Sequence, residues 1–215
     1  MVDVIIPVYN EEKILREKAA YFNSLKNKAR LIFVDGGSQD LTIEIAQNYG
    51  ELIRSQQGRC HQMNAGAALA DSTCLLFLHV DTSIEPEALE QIQSALQKGN
   101  CAGCLTLAID DKHFIFRIFE GWVNWRARAF GVLDGDLGLF VNRDIFKTVG
   151  GFDPTPIMED ILFSRKIRKI ARPHVLTEKI KASSRRWRDQ GFLRTGMRYA
   201  LAYLQLWTRI PFLKF

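Results

Sequence analysis

The chain has 215 residues, 47% of them hydrophobic and 25% charged, with a formal net charge of +5. That balance fits one globular domain and excludes a collagen-like, low-complexity or disordered chain. The four cysteines, Cys60, Cys74, Cys101 and Cys104, are too few and too unevenly spaced for a disulfide framework, and the single CxxC lacks the second pair that a four-thiolate zinc site needs.

The chain starts directly on an apolar run with no basic leader, so no signal peptide is expected. Val4 to Val8 is continuously apolar and of strand length. Residues 11–26 then carry Ile14, Leu15, Ala19, Phe22 and Leu25 at helical spacing. A second unit follows: Leu31 to Val34 as a strand, Asp35-Gly36-Gly37-Ser38 as a turn, and a helix over Thr42 to Tyr49. Next come a short apolar Leu52-Ile53, a Gly58-Arg59 loop, a helix over Gln62 to Ala70 and a buried strand over Cys74 to Leu78 that stops at His79-Val80-Asp81. Strands apolar on both faces, alternating with helices, predict a doubly wound parallel sheet. Ligands of such sheets bind at the carboxyl ends of the strands, where Asp35 and Asp81 fall.

Beyond residue 100 the pattern is more mixed. A strand is expected over 101–109, an aromatic helix over 113–130, a short strand over 137–141, and helices over 159–170 and 192–208. No apolar run reaches the ~20 residues that span a bilayer. Many of the arginines and lysines lie in 165–214, a distribution that suits phosphate groups or an anionic membrane surface. They form no known reading motif for nucleic acid, and a rim of acids would oppose a phosphate backbone, so no nucleic-acid partner is expected.

Charged side chains recur just past strand ends or at loop-to-helix junctions: Asp35, Arg59, Asp81, Asp136 and the pair Glu159-Asp160. Carboxylates gathered at one rim repel unless a cation joins them, and Mg²⁺ or Mn²⁺ bound by one carboxylate plus substrate phosphates is a chemically reasonable use of Asp81. Taken singly, each aspartate is more often a turn or N-cap residue than a ligand, and an acidic first helical turn is the alternative reading of Glu159-Asp160.

The order of segments is more specific than any one of them. Pro7-Val8-Tyr9-Asn10-Glu11-Glu12, Asp35-Gly36-Gly37-Ser38-Gln39-Asp40, Gly58-Arg59, His79-Val80-Asp81, Gly150-Gly151-Phe152-Asp153, Glu159-Asp160 and Arg185-Arg186-Trp187 together resemble the family-2 glycosyltransferases of GT-A fold, over residues 2 to about 190. Within that family the chain looks most like a short bacterial subgroup with a Gly135-Asp136 step and a Ser184-Arg185-Arg186-Trp187 ending. The resemblance implies an α/β fold, a Rossmann-like and mostly parallel sheet flanked by helices. It implies a single domain over 1–215: a nucleotide-sugar-binding half over about 1–100, an acceptor and catalytic half over about 101–190, and an amphipathic C-terminal helix over 191–215.

It further implies that Pro7, Tyr9 and Glu11 line the nucleotide pocket, that Asp35 helps hold the base, and that Arg59 sits near base or phosphates. The family's DxD-type motif corresponds to His79-Val80-Asp81, which makes Asp81 the ligand of Mn²⁺ or Mg²⁺ and a donor-binding residue. Asp160, beside Glu159, matches the general base of an inverting displacement. Asp136 would face the acceptor. Arg186 and Trp187 match the end of a QxxRW motif, on the acceptor and leaving diphosphate, although Ser183 stands where glutamine would be. Family members often carry two adjacent aspartates where this chain has Asp35-Gly36. The implied activity is metal-assisted transfer of a sugar, UDP-hexose being the default donor, to an acceptor hydroxyl or carboxyl. A lipid or isoprenoid acceptor at the inner face of the membrane, a peripheral membrane contact and a cytoplasmic location complete this expectation. A nucleotidyltransferase and a non-catalytic nucleotide-sugar-binding protein are the alternatives. The first would want a basic Gly-rich loop where Tyr9-Asn10-Glu11-Glu12 stands; the second would be expected to lack Asp81 or Asp160.

Overall fold

The computed structural model describes residues 1–155 and 157–185. Its strands are β1 (Asp3–Val8), β2 (Arg30–Asp35), β3 (Glu51–Arg54), β4 (Cys74–Phe77), β5 (Ser83–Ile84), β6 (Ala102–Ile109), β7 (Leu139–Asn142) and β8 (His174–Ala182). The helices are α1 (Glu12–Glu17), α2 (Ala19–Leu25), α3 (Thr42–Ala46), α4 (Arg59–Leu69), α5 (Glu87–Gln97), α6 (Phe114–Phe130), α7 (Arg143–Thr148) and α8 (Glu159–Arg168), with a 3₁₀ turn at Gly135–Leu137.

One eight-stranded sheet runs in the order β3-β2-β1-β4-β7-β6-β8-β5. The first four strands are parallel, with Val8 opposite Asp35 and Ile5 opposite Phe77. Their carboxyl ends therefore open on one rim. From β7 onward the order breaks: β7 runs antiparallel to β4 and β6, so its amino end, Leu139 opposite Phe77, faces that same rim. The doubly wound parallel sheet expected from the sequence is thus confined to the first half. The second half is mixed, because β7 follows the 3₁₀ turn and returns beside β4.

Apolar side chains fill both faces of the sheet. Alternate residues of β1 go to opposite sides, Ile6 with Phe22, Phe33 and Phe140, and Ile5 with Met63, Phe77 and Phe163. Phe77, Phe146 and Phe152 form an aromatic cluster with Phe163 of α8, edge-to-face between Phe152 and both Phe77 and Phe146 and tilted elsewhere. Helix α4 lies very close to the sheet. A Cβ at Gly66 would come 2.5 Å from Ile5 Cγ2, so this crossing needs glycine.

Three expected elements differ from those observed. The helix expected over 11–26 is two helices broken at Lys18, whose ammonium reaches across to the loop after β4. The Gly58-Arg59 loop is shorter than expected, since Gly58 caps α4 and Arg59 begins it. The helix expected over Thr42 to Tyr49 ends at Ala46. Helices α5 and α7 and strand β8 were not anticipated at all. The expected helix over 192–208 lies outside the described residues.

Candidate active site

The rim begins with two loops tied to each other. After β1, the Asn10 amide donates to Ser38 Oγ at 2.9 Å, and Asn10 Oδ1 accepts from the Gln39 amide at 2.8 Å. The Glu11 amide donates to Thr42 Oγ1 at 2.7 Å. Below them Gln62 of α4 is buried, and its Nε2 donates to the carbonyls of Val8 and Val34 at 2.9 and 2.7 Å. That side chain fastens the ends of β1 and β2 from beneath. It was not legible in the sequence, where it reads as one polar residue of a helix.

Asp35 closes β2 without any exposure. Its carboxylate accepts from the Gly37 amide at 2.9 Å and from the Ser38 amide at 3.1 Å. In this arrangement it shapes the turn and faces no open space. Pro7 is half-buried on β1, Tyr9 is 42% exposed just beyond it, Glu11 is half-buried, and Arg59 is exposed at the first turn of α4. All stand on the side of the sheet where β1, β2 and β3 end, because Arg54 pairs with Asp35 and the Ser55 amide donates to the Asp35 carbonyl at 2.9 Å.

The second group of acids lies where the mixed half of the sheet meets this rim. Ser164 of α8 donates to the Gly131 carbonyl and accepts from the Leu133 amide, both at 3.0 Å, which steers the chain leaving α6 toward the 3₁₀ turn. There Asp136 pairs with His79 Nδ1 at 2.9 Å, and Asp134 pairs with Arg126. The imidazole thus holds the loop after β4 against the loop before β7. The Gly135 amide donates to Asp160 Oδ2, and the Ile161 amide to Oδ1 at 2.7 Å. A Cβ at Gly135 would meet Asp160 Oδ2 at 3.1 Å and His79 Nε2 at 3.3 Å, so both side chains close on that one backbone position.

Burial pushes the Asp160 carboxyl up to about 7, helped by the neighbouring charges of Glu159 and Asp134 and opposed by the two amide bonds. Asp160 keeps an edge open to solvent while Glu159 is buried. Just before them Met158 sits in the left-handed region at φ 65°, one of two described non-glycine residues with positive φ; the other is Asn10, at φ 53°. Both flank the rim, where strained backbone marks positions held for function.

Asp81 is half-buried four residues past β4. Behind it Lys18 donates to the carbonyls of Val80, at 3.0 Å, and Thr82, with its ammonium 4.7 Å from the Tyr21 ring centre. Burial lowers the Lys18 ammonium to about 8, against the pull of Asp81. No local pattern marks Lys18, which breaks the first helical segment and fixes the Asp81 loop from behind. Among the described residues no group of three or more His, Cys, Asp or Glu side chains is placed to hold a metal ion. A hard divalent ion that completes its shell with diphosphate oxygens and water needs only one or two carboxylates, and Asp81 meets that requirement. Arg186 and Trp187 lie outside the described residues. All four cysteines are free, and burial pushes the Cys74 and Cys104 thiols up to about 12, which leaves them inert.

A mostly parallel half-sheet joined to a mixed half within one helix-flanked sheet is a GT-A fold, and the chain's solved neighbours share that fold. Staphylococcus aureus TarS 1-349 in complex with UDP-GlcNAc matches with a TM-score of 0.67 at 20% identity, over 85% of this chain and 58% of that one. The mannosyltransferase PcManGT from Pyrobaculum calidifontis, in complex with GDP-Man and Mn²⁺, matches at 0.61 with 18% identity, over 84% and 56%. The family model for glycosyl transferase family 2 matches residues 3–146, and the chain belongs to that family. Glycosyltransferase AglE from Haloferax volcanii is 36% identical over 168 residues, which cover 70% of this chain and 55% of AglE. A PGL/p-HBAD biosynthesis glycosyltransferase from Mycobacterium tuberculosis is 35% identical over 105 residues, 43% of this chain and 40% of that protein. The chain therefore spans about half the length of these relatives, or less. No described helix is long and apolar enough to cross a membrane.

Proposed function

We propose that the chain transfers a sugar from a nucleoside-diphosphate sugar, a UDP-hexose in the first instance, to an acceptor hydroxyl or carboxyl with inversion at the anomeric carbon. The observation that carries this reading is the Asp160 carboxyl, held against Gly135 with its proton affinity raised to near neutrality. Asp160 takes the proton of the acceptor O–H while that oxygen bonds to the anomeric carbon and the bond to the diphosphate breaks. A base poised near the working pH is the most efficient for that step. The nucleoside diphosphate leaves with the bonding electrons.

The donor lies over the rim formed by Pro7, Tyr9, Glu11, Asp35 and Arg59, with Asp35 acting through the turn it shapes. Asp136, fixed by His79, and the Arg186-Trp187 pair serve the acceptor and leaving diphosphate. Asp81 would hold Mn²⁺ or Mg²⁺, which supplies charge neutralisation for the departing diphosphate. Lys18 keeps the Asp81 loop in place. Residues of about 1–100 handle the donor and those of about 101–190 the acceptor and chemistry, within one domain. A lipid- or isoprenoid-linked acceptor reached at the cytoplasmic face of a membrane fits the basic second half of the chain. Support comes from the UDP-GlcNAc and GDP-Man complexes of the structural neighbours and from the mycobacterial relative's part in PGL/p-HBAD biosynthesis.

A screen of UDP-, GDP- and dTDP-sugars for Mn²⁺-dependent hydrolysis or transfer tests this reading. One donor is expected to turn over, with binding lost in Asp81→Ala and binding kept but turnover lost in Asp160→Asn. If no donor binds with metal present, the reading fails.

A further inference from the structure

Helix α6 is amphipathic in an unusual sense, because its outward face is the apolar one. Phe114, Ile118, Trp122 and Trp125 recur four, four and three residues apart and so share one side of the helix. With Phe130 they are 50–68% exposed, while Phe116, Val123 and Ala127 face the core. The rings of Trp122 and Trp125 are 5.2 Å apart, as are those of Trp125 and Phe130, making a continuous aromatic ridge. Half of the ten large hydrophobic side chains exposed among the described residues stand on this one helix. A cluster of that kind marks an interaction surface.

What surrounds the carboxyl end of the ridge identifies its partner. Arg128, Arg168 and Arg172 are exposed there, Arg165 and Lys169 are exposed one turn before and next to Arg168 at the end of α8, and none of the five forms a salt bridge with a described carboxylate. Arg168 donates to the Phe130 carbonyl at 3.0 Å and Arg172 to the carbonyls of Arg128 and Ala129, which joins these charges to the last turn of α6. Each guanidinium has further N–H groups to offer. Beside them opens a cavity of ≈ 300 Å³ lined by Arg128, Arg172, Pro173, His174 and Val175. Tryptophan and phenylalanine next to unpaired arginines are what an anionic bilayer surface receives: rings at the headgroup boundary, cations on the phosphates.

We propose that the outward face of α6, with this basic cluster, is a docking surface for an anionic phospholipid bilayer. The chain passes from the α6 cap at Gly131 to Asp134 and Gly135 within four residues, and the Gly135 amide contacts the Asp160 carboxyl, so docking would bring the acceptor side of the site to the membrane. The surface deepens the lipid-linked acceptor part of the proposed function. Its chemistry does not depend on sugar transfer.

Co-sedimentation of the full chain with vesicles, without nucleotide sugar, tests it. With phosphatidylglycerol mixed into phosphatidylcholine at ~0.1 M salt the chain is expected in the pellet, and with phosphatidylcholine alone in the supernatant. Reversing two charges, Arg165→Glu with Lys169→Glu, is expected to weaken binding roughly tenfold or more. Trp122→Ser with Trp125→Ser is expected to abolish it at the same vesicle concentration, circular dichroism confirming that both variants stay folded. An intact chain that ignores anionic vesicles, or variants that bind as the intact chain does, would overturn the proposal. So would a dimer in sedimentation velocity that Trp122→Ser with Trp125→Ser converts to monomer, since a second copy would then be what covers the face. Donor turnover measured without lipid separates this outcome from failure of the transferase reading.

Discussion

Two aspartates sit at the rim in opposite states. Asp35 is fully buried, yet its carboxylate accepts from the amides of both Gly37 and Ser38, and the loops around it are tied strand to strand. Asp160 receives two amides as well, but burial and the charges of Glu159 and Asp134 outweigh them and lift it to about 7. Asp35 is thus absorbed into the hydrogen bonding of its own turn, while Asp160 is a carboxyl at odds with its surroundings. On the proposed function the chemistry would fall to the second, because a base is useful where its ionised form is held against a cost.

The largest effect that would sharpen this contrast is on turnover. Asp160→Asn keeps the shape and removes the base, so transfer should fall by about 10²–10⁴-fold with donor affinity unchanged, read by steady-state kinetics beside calorimetric titration. The same substitution should stabilise the fold. Asp160 binds its proton more tightly when folded than the ordinary carboxyl at 3.8, so its contribution is fully present below about pH 4 and is lost as pH rises to about 7. At pH 8, Asp160→Asn should therefore gain about 2–4 kcal/mol in urea unfolding, and almost nothing at pH 3. Loss of stability at pH 8 would break the comparison.

Asp35→Asn should act the other way, costing about 1–3 kcal/mol in urea unfolding, because it weakens the acceptor of two backbone N–H groups that shape the turn. A smaller effect is expected from Gly135→Ala. Its methyl would crowd Asp160 Oδ2 and His79 Nε2, so kcat should drop about tenfold while stability, followed by thermal unfolding, changes by about 1 kcal/mol or less.

Much of the rim was legible because its signals are local. Asp35 follows a run of apolar residues and precedes two glycines, Asp81 ends another such run, and Glu159-Asp160 opens a periodic helix. The partnerships were not legible, because they join residues far apart in the chain: Lys18 to the Asp81 loop, His79 to Asp136, Gln62 to Val8 and Val34, Asn64 to Phe152. Helix α5 had a readable start, with Pro86 before Glu87 and apolar residues at Ala88, Leu89, Ile92 and Ala95. Strand β8 had none. Its buried residues, Leu176 and Ile180, are separated by Thr177, Glu178 and Lys179, and it is set by pairing with β6 rather than by its own alternation.

The most direct test of the central claim is the pH dependence of transfer under donor saturation, with donor affinity followed in parallel. A rate that rises with pH through a midpoint near 7 to a plateau above it in the wild type, with nearly constant donor affinity and no such rise in Asp160→Asn, is the predicted result. A flat profile in the wild type, or an Asp160→Asn variant that turns over as fast, would contradict the assignment of Asp160 as the base.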